Sequence, residues 1–235
     1  MVKVFDKNMF VMLFAVMIGI VVITYFMADI MHQSTIESLT AEHVSEIGTI
    51  EGKNINFTSN FLESSVLLDS AREDRAFGNY HFDLASLFYS SALSEKNISI
   101  MELHKNRTID NCTKAMPMYF NSHLNFKSAS NFFNNTKKYT KYDNYLELLD
   151  LYINLTESGA KLTMLRYNAS KYLKYLTENI TVINGSAALG NVSDLMDLFN
   201  ETMIMYSSEL DTYDEYEDDI DEYDIEGFST IREPS

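Results

Sequence analysis

A spacing of three and four residues between apolar side chains runs from Tyr145 to Ile183 and constrains the fold more than any other feature. The pattern persists over five heptads and is interrupted at Arg166. Such spacing places the apolar side chains on one face of an α-helix, and another element must cover that face. The segment therefore predicts a long amphipathic helix in a helical bundle. Its stripe comprises Leu148, Tyr152, Leu155, Gly159, Leu162, Ala169, Leu173, Leu176, Ile180 and Ile183.

Two more amphipathic helices are predicted on either side of this segment. The earlier one runs from Met31 to about Phe77, and Gly78-Asn79 is a candidate C-terminal stop because glycine adopts the left-handed conformation that ends many helices. The later one follows an expected turn at residues 184–190. The earlier stripe comprises Ile36, Leu39, His43, Val44, Ile47, Ile50, Phe57, Phe61, Val66 and Leu68, and the later one Leu195, Phe199, Met203, Tyr206 and Leu210.

Little in the composition interrupts helices. The chain contains 8 Gly and 2 Pro in 235 residues, and strands have no clear signal. Residues 80–93 form a shorter apolar segment, residues 94–112 look irregular, and a helix is expected near 116–133. Because amphipathic helices must cover one another's apolar faces, the expected fold is all-α, a bundle of three to five long helices.

The N-terminus carries a candidate membrane anchor. Residues 9–28 form an uncharged, mostly apolar run of 20. As a helix rising about 1.5 Å per residue, the run would span about 30 Å, the thickness of the bilayer's hydrocarbon core. Lys3 and Lys7 precede the run, whereas no Lys or Arg follows it until Lys53. By the positive-inside rule, residues 1–8 are cytoplasmic and everything after Ala28 lies outside.

A cleaved signal peptide is the alternative interpretation of this run. Its apolar region would be about 7–15 residues long and would end at a small-x-small cleavage site. The run here is longer and ends in YFMADIM, which has no Ala-x-Ala. The sequence therefore favours an uncleaved signal anchor and a single-pass protein that contacts the lipid bilayer through residues 9–28.

Asn-x-Ser/Thr sequons are unusually frequent. Chance placement of 20 Asn in a chain with 39 Ser or Thr among 235 residues would give about three, yet eleven occur, none with a central Pro. All lie on the predicted outer side, which supports N-glycosylation. Asn154 and Asn168 fall at heptad position c, away from the stripe, whereas Asn56 and Asn179 lie closer to apolar stripes and are expected to stay bare. The candidate sites are Asn56, Asn97, Asn106, Asn111, Asn134, Asn154, Asn168, Asn179, Asn184, Asn191 and Asn200.

The chain has a single cysteine, Cys112, inside the sequon at Asn111. One cysteine permits no internal disulfide, although animal ectodomains of this size usually carry disulfides. Glycosylation signals without disulfides fit an archaeal cell surface better. Cys112 itself is expected to be a structural thiol, with an intermolecular disulfide as the alternative.

No catalytic, cofactor-binding or metal-binding signature is visible. The histidines at 32, 43, 81, 104 and 123 show neither H-E-x-x-H nor a close pairing. The charged stretch at 69–83 reads as near-neighbour ion pairs on a helix, with a ligand-binding corner as the alternative. These observations predict a protein that is not an enzyme and needs no cofactor.

The C-terminal segment is strongly acidic. Residues 209–226 contain eleven Asp or Glu and no Lys or Arg, out of a net charge of −16. Such blocks are usually solvated and disordered, and this is the favoured interpretation. The spacing of Leu210, Tyr213, Tyr216, Ile220 and Tyr223 allows an alternative in which the last helix continues. A protein or a cation-bridged envelope polymer is the expected partner, and nucleic acid is not, since phosphates would be repelled.

The expected organisation has four parts: a cytoplasmic N-terminus (1–8), a transmembrane signal anchor (9–28), an extracytoplasmic helical bundle (29–208) and an acidic tail (209–235). The hypothesis is a membrane-anchored, N-glycosylated cell-surface protein with a structural or protein-interaction role, able to form homo-oligomers. The alternative is a sensory or ligand-binding ectodomain. With about eight residues inside, such an ectodomain would need a separate signalling or transport partner.

Overall fold

The computed structural model describes the backbone of residues 7–183 and 186–223, and the side chains of residues 38–182 and 187–223. The chain divides into two compact units, residues 1–54 and 55–235. In the first unit, the described side chains lie along a helix and nearly all are exposed. The elements are α1 (Lys7–Ser94), α2 (Ile98–Thr136), a 3-10 turn (Lys137–Tyr139), α3 (Asp143–Glu178), β1 (Ile180–Ile183), β2 (Ser186–Leu189) and α4 (Ser193–Glu222).

The second unit is an all-α bundle of four long helices, as the sequence predicts. Each helix runs antiparallel to the preceding one, since contacts between neighbours pair rising residue numbers with falling ones. Hydrogen bonds link every neighbouring pair, including α4 back to α1, so the helices form a closed ring. The linking bonds are Ser122 Oγ to Ala71 O (2.6 Å), His123 Nδ1 to Ala160 O (2.9 Å), Ser158 Oγ to Glu209 Oε1 (2.7 Å) and Arg72 Nη2 to Glu217 Oε1 (2.6 Å).

Two sequence predictions about α1 and α2 are wrong. Gly78 does not end α1, which continues to Ser94, and the region expected to be irregular contains the start of α2 at Ile98. Gly78 instead lets α2 approach closely, because a Cβ atom there would lie 2.7 Å from the Tyr119 ring. The interhelical turn is set by Asn97, whose Oδ1 accepts hydrogen bonds from the backbone N–H groups of Ser99 and Ile100.

The stripe of the earlier predicted helix is only partly buried. Phe57 and Phe61 are half-buried and Leu68 is buried, but Val66 is 66% exposed. Leu39, Val44, Ile47 and Ile50, in the first unit, are also exposed. Periodicity thus identified the helix correctly but not the face that packs.

Aromatic rings pack against small residues in the core. Phe126 packs directly over Gly159, where a Cβ atom would lie 2.6 Å from the ring. The buried hydroxyls are satisfied locally, since most donate to the carbonyl oxygen four residues earlier, as Thr163 does to Gly159. Such hydroxyls can line a dry interface without a partner on the facing helix. The residues of this type are Ser64, Thr108, Thr136, Thr156, Thr163, Ser170, Thr177 and Thr202.

A short β-hairpin separates α3 from α4, contrary to the expectation of no strands. β1 and β2 pair antiparallel, with Ile180 opposite Leu189 and Val182 opposite Ala187. The predicted helix to Ile183 therefore ends at Glu178. The β-branched run Ile180–Ile183 favours an extended strand, and Asn184-Gly185 is a hairpin signal in the sequence. Ile180 is buried and joins Ala92 and Met101 in a small core cluster.

The acidic segment is helical over residues 209–222, so the favoured interpretation as a disordered tail is wrong there. α4 continues to Glu222, and Tyr213 on it is fully buried in the largest core cluster, with Tyr216 and Ile220 packed against that cluster. The apolar side chains of this acidic segment therefore pack inside the bundle. Residues 224–235 lie outside the described part of the chain.

Among the residues whose side chains are described, no helical segment is long and apolar enough to span a membrane. The predicted anchor at 9–28 lies outside the residues whose side chains are described.

Replacing Gly159 with Ala tests the close contact with Phe126. Although Ala is the better helix former by about 1 kcal/mol, the added methyl group would overlap a fully buried ring. We expect a net loss of about 1–3 kcal/mol in the free energy of unfolding, measured by urea denaturation.

The matched control is Gly52→Ala, since nothing lies within 4 Å of the position of its Cβ atom. This variant should unfold at the urea concentration of the unmodified chain or above it. Equal stability of the two variants would mean that Phe126 does not pack against Gly159.

Candidate functional site

An open groove of about 750 Å³ lies between α2 and α3, with α4 contributing to its edge. Its volume is in the range of small-molecule sites. The apolar part is formed by Ala160, Met164, Leu165 and Met205, and the polar part by His123, Lys127, Ser130, Asn131, Glu157, Lys161 and Glu209.

The groove carries balanced charge, with two lysines and two glutamates at its walls. Glu209 is held in place, because it accepts a hydrogen bond from Ser158 at 2.7 Å and lies 3.9 Å from Lys161. His123 is also fixed, since its Nδ1 lies 2.9 Å from the carbonyl oxygen of Ala160. Apolar side chains beside charges of both signs suit a ligand that is partly apolar and partly charged.

A second polar cluster fastens acidic α4 to α1. The guanidinium of Arg72 donates to the hydroxyl of Tyr213 at 3.2 Å and to the carboxylate of Glu217 at 2.6 Å. Burial opposes the charged form of Arg72, but the contacts with Tyr213 and Glu217 outweigh it and raise its pKa overall. Arg72 therefore stays charged and offsets part of the charge of a helix with twelve acidic and no basic residues.

Two further arginines pack against aromatic faces in the same region. The Cζ atom of Arg75 lies 4.3 Å from the ring centroid of Tyr213, and that of Arg166 lies 3.9 Å from Tyr206 and 4.5 Å from Phe82. Arg166 was the one interruption of the predicted stripe, and these cation–π contacts explain how a charge is tolerated there. Arg75 Nη1 and Arg166 Nε have no hydrogen-bond partner among the described residues.

Eight of the eleven candidate glycosylation sites are exposed in the folded chain: Asn56, Asn97, Asn106, Asn134, Asn154, Asn179, Asn191 and Asn200. Asn168 is half-buried, and Asn184 lies outside the described residues. Asn154 is exposed, as expected for a residue away from the apolar stripe. Asn168, at the same heptad position, is only half-exposed and fits that expectation less well. Exposure gives no steric reason for Asn56 or Asn179 to stay bare.

Asn111 differs from the other candidates because it is buried, with 8% of its surface exposed. Its Nδ2 donates to the carbonyl oxygen of Arg107 at 2.8 Å, and its Oδ1 lies 3.0 Å from Nδ1 of His81. The bundle therefore leaves no space for a glycan at Asn111.

The remaining candidate groups are kept apart. His43 lies 3.9 Å from Glu46 on the exposed helix, and His104 stacks on Phe88. No group of three metal-ligating side chains occurs in the part of the chain that the structure describes. Cys112 is fully buried, so an intermolecular disulfide would require the bundle to open.

Burial raises the pKa of Cys112 from 9.0 to about 12. The folded chain therefore holds the thiol proton more tightly than the unfolded chain, and its contribution to stability is lost as pH rises through this interval. We expect the free energy of unfolding, measured by urea denaturation, to fall between pH 9 and pH 12.

The control variant is Cys112→Ala, which removes this titration at the cost of a small cavity. It should lose less stability over the same interval, with the remaining loss due to buried tyrosines such as Tyr213, whose pKa burial also raises. Identical pH dependence in both proteins would contradict the assigned thiol titration.

No family model, curated protein or solved structure matches this chain.

Proposed function

We propose that the chain is a membrane-anchored, N-glycosylated cell-surface protein with a structural or protein-interaction role. Residues 9–28 would cross the bilayer with residues 1–8 in the cytoplasm, and the bundle would stand outside. The observation that carries the proposal is the excess of sequons, eleven against about three expected by chance, all following the apolar run. The absence of any internal disulfide leads us to place the protein on an archaeal surface.

The folded chain is suited to carry glycans on several sides. Exposed sequons occur on α2 at Asn106 and Asn134, on α3 at Asn154 and on α4 at Asn200. A glycan on an exposed asparagine projects into water and costs the bundle no buried contact. The long helices would then serve as a spacer with a glycan-covered surface.

The acidic helix supports an interaction role. α4 carries twelve acidic residues, and of the three contacts of Arg72 and Arg75 described above only the Arg72–Glu217 pair involves one of them. A basic protein, or an anionic envelope polymer bridged by cations, would complement this surface.

Glycopeptide mass spectrometry on protein from its own organism tests the proposal. We expect an intact mass above the 27.0 kDa of the bare polypeptide and occupied sites among Asn106, Asn134, Asn154 and Asn200. Asn111 should be bare, because a glycan there cannot coexist with the packed bundle.

Asn111 is the internal control, since it is a sequon in the same chain with a buried side chain. An intact mass equal to the bare polypeptide would refute glycosylation. Occupied Asn111 in folded protein would instead refute the packing of α2 against α1.

The groove between α2 and α3 favours a second candidate function, a ligand-binding ectodomain that acts with a separate signalling or transport partner. Its volume of about 750 Å³ and its apolar lining residues are the supporting observations. Native mass spectrometry of the purified chain should show a bound small molecule, and Met164→Trp, which fills the groove, should abolish it.

The matched control is Met196→Trp, a half-buried methionine on α4 outside the groove lining. Retention of the same molecule by Met164→Trp, or its absence from the unmodified chain isolated from its own organism, would rule out this candidate.

A further inference from the structure

The outward side of α1 in the bundle carries an unusually apolar surface, here called the α1 outer face. Six large apolar side chains are between 54% and 66% exposed along residues 55–87. At 100° per residue they fall within an arc of about 80°, opposite the buried side of the helix. They extend over about 48 Å at 1.5 Å per residue. The face comprises Ile55, Leu62, Val66, Phe77, Tyr80 and Leu87.

Exposed apolar residues that are scattered singly need no explanation, but several that share one helix face often mark an interaction site. The α1 outer face is also free of sequons, since none occurs between Asn56 and Asn97. Asn56 itself lies about 100° around the helix from Ile55. All four helices carry an exposed sequon, but the one on α1, Asn56, lies outside the α1 outer face. In the glycoprotein proposed above, on which this step rests, the α1 outer face would be the side left open to a partner.

The charges on this face are acidic. Asp69 and Glu73 fall within the same arc and divide it into two apolar halves, residues 55–66 and 77–87, while Glu63 and Asp83 flank it. Residues 55–94 contain no lysine. The two arginines of this segment contact Tyr213 on α4, and Arg72 also pairs with Glu217. Arg72 Nη1 lies 3.9 Å from Asp69 and offsets part of its charge, whereas Glu73 forms no ion pair among the described residues.

These charges argue against a second copy of α1 as the occupant. Two α1 outer faces packed together would bring Asp69 and Glu73 against acidic residues and no lysine, and like charges at such contacts are unfavourable. The neighbouring helix α4 adds twelve acidic residues and no basic one. A partner helix with lysine or arginine beside its apolar stripe would complement both the apolar side chains and the acidic charge of the α1 outer face.

We propose that the α1 outer face is a docking surface for an amphipathic helix of another protein, one that carries an apolar stripe flanked by basic residues. The two apolar halves of the α1 outer face contact the apolar stripe of the partner helix. Asp69 and Glu73, which lie between the halves, pair with basic residues near the middle of the partner helix. This deepens the proposed interaction role by assigning it a surface and a partner chemistry.

Two synthetic helical peptides test the proposal on the full-length chain in nanodiscs of uncharged lipid. Both carry leucine on one face; one has lysine on the flanks and the other has glutamate at the same positions. Fluorescence anisotropy should show at least tenfold tighter binding of the lysine peptide at low ionic strength, with the difference shrinking as salt is added. Empty nanodiscs give the background from lipid binding.

The variant pair Leu62→Ser and Val66→Ser should weaken binding of the lysine peptide at least tenfold. Both side chains are more than half exposed, so the bundle should keep its thermal stability. The matched control pair is Leu198→Ser and Ile204→Ser on α4, which are exposed to 46% and 71% and should leave binding unchanged. Replacing Asp69 and Glu73 with Lys should reduce or invert the preference between the peptides.

The proposal is overturned if the two peptides bind equally, if neither binds, or if the Leu62→Ser and Val66→Ser pair binds as well as the control pair. It is also overturned if sedimentation shows oligomers of the unmodified chain that this pair dissociates, since a second copy would then be the occupant. The chain used here is produced without glycans, so failure of docking leaves the intact-mass test of glycosylation untouched.

Discussion

The close approach of neighbouring helices is the constraint on which the rest of the bundle depends. Gly78 receives the ring of Tyr119 and Gly159 receives the ring of Phe126, each at a distance that a Cβ atom would not allow. The buried surface also contains many alanine, serine and threonine residues, and most buried hydroxyls are bonded to their own helix. The interfaces can therefore be narrow without leaving polar groups unsatisfied, and long helices gain stability by repeating this packing.

Helix α4 is part of the bundle because its inner edge is neutral and aromatic while its acidic residues face mainly outward. Tyr213 is fully buried, and it takes both a hydrogen bond from Arg72 and a cation–π contact from Arg75. These contacts neutralise part of a strong self-repulsion along the helix. The same arrangement leaves a large acidic surface beside the apolar α1 outer face. The two adjacent surfaces together define the chemistry of the partner that we propose.

The sequence correctly predicted helices where a local repeat could specify them. On α3 the predicted stripe from Leu148 to Leu176 is the packed face, apart from Arg166, which rests between aromatic rings. The same reasoning failed for Val66, whose spacing matched a stripe but whose side chain faces solvent. It also missed the groove, because the helices that line it are distant in sequence and none has a distinctive motif. Asn184-Gly185 between β-branched and small residues was the signal that could have revealed the hairpin.

The amino-acid sequence by itself determined the helical class, the amphipathic pattern of α3 and the inner side of α4, because hydrophobic periodicity and scarce Gly and Pro act locally. It also fixed the features behind the proposed function, the uncharged run and the sequons. Only the tertiary structure decided which polar residues are interior. Thr156, Thr163, Ser170 and Thr177 recur every seven residues yet read as solvent-facing until a neighbouring helix covers them. Likewise, the acidic segment taken alone is typical of a disordered tail, and it is held in the bundle by Arg72 and Arg75 of α1 and by the packing of Tyr213 against Phe126 of α2.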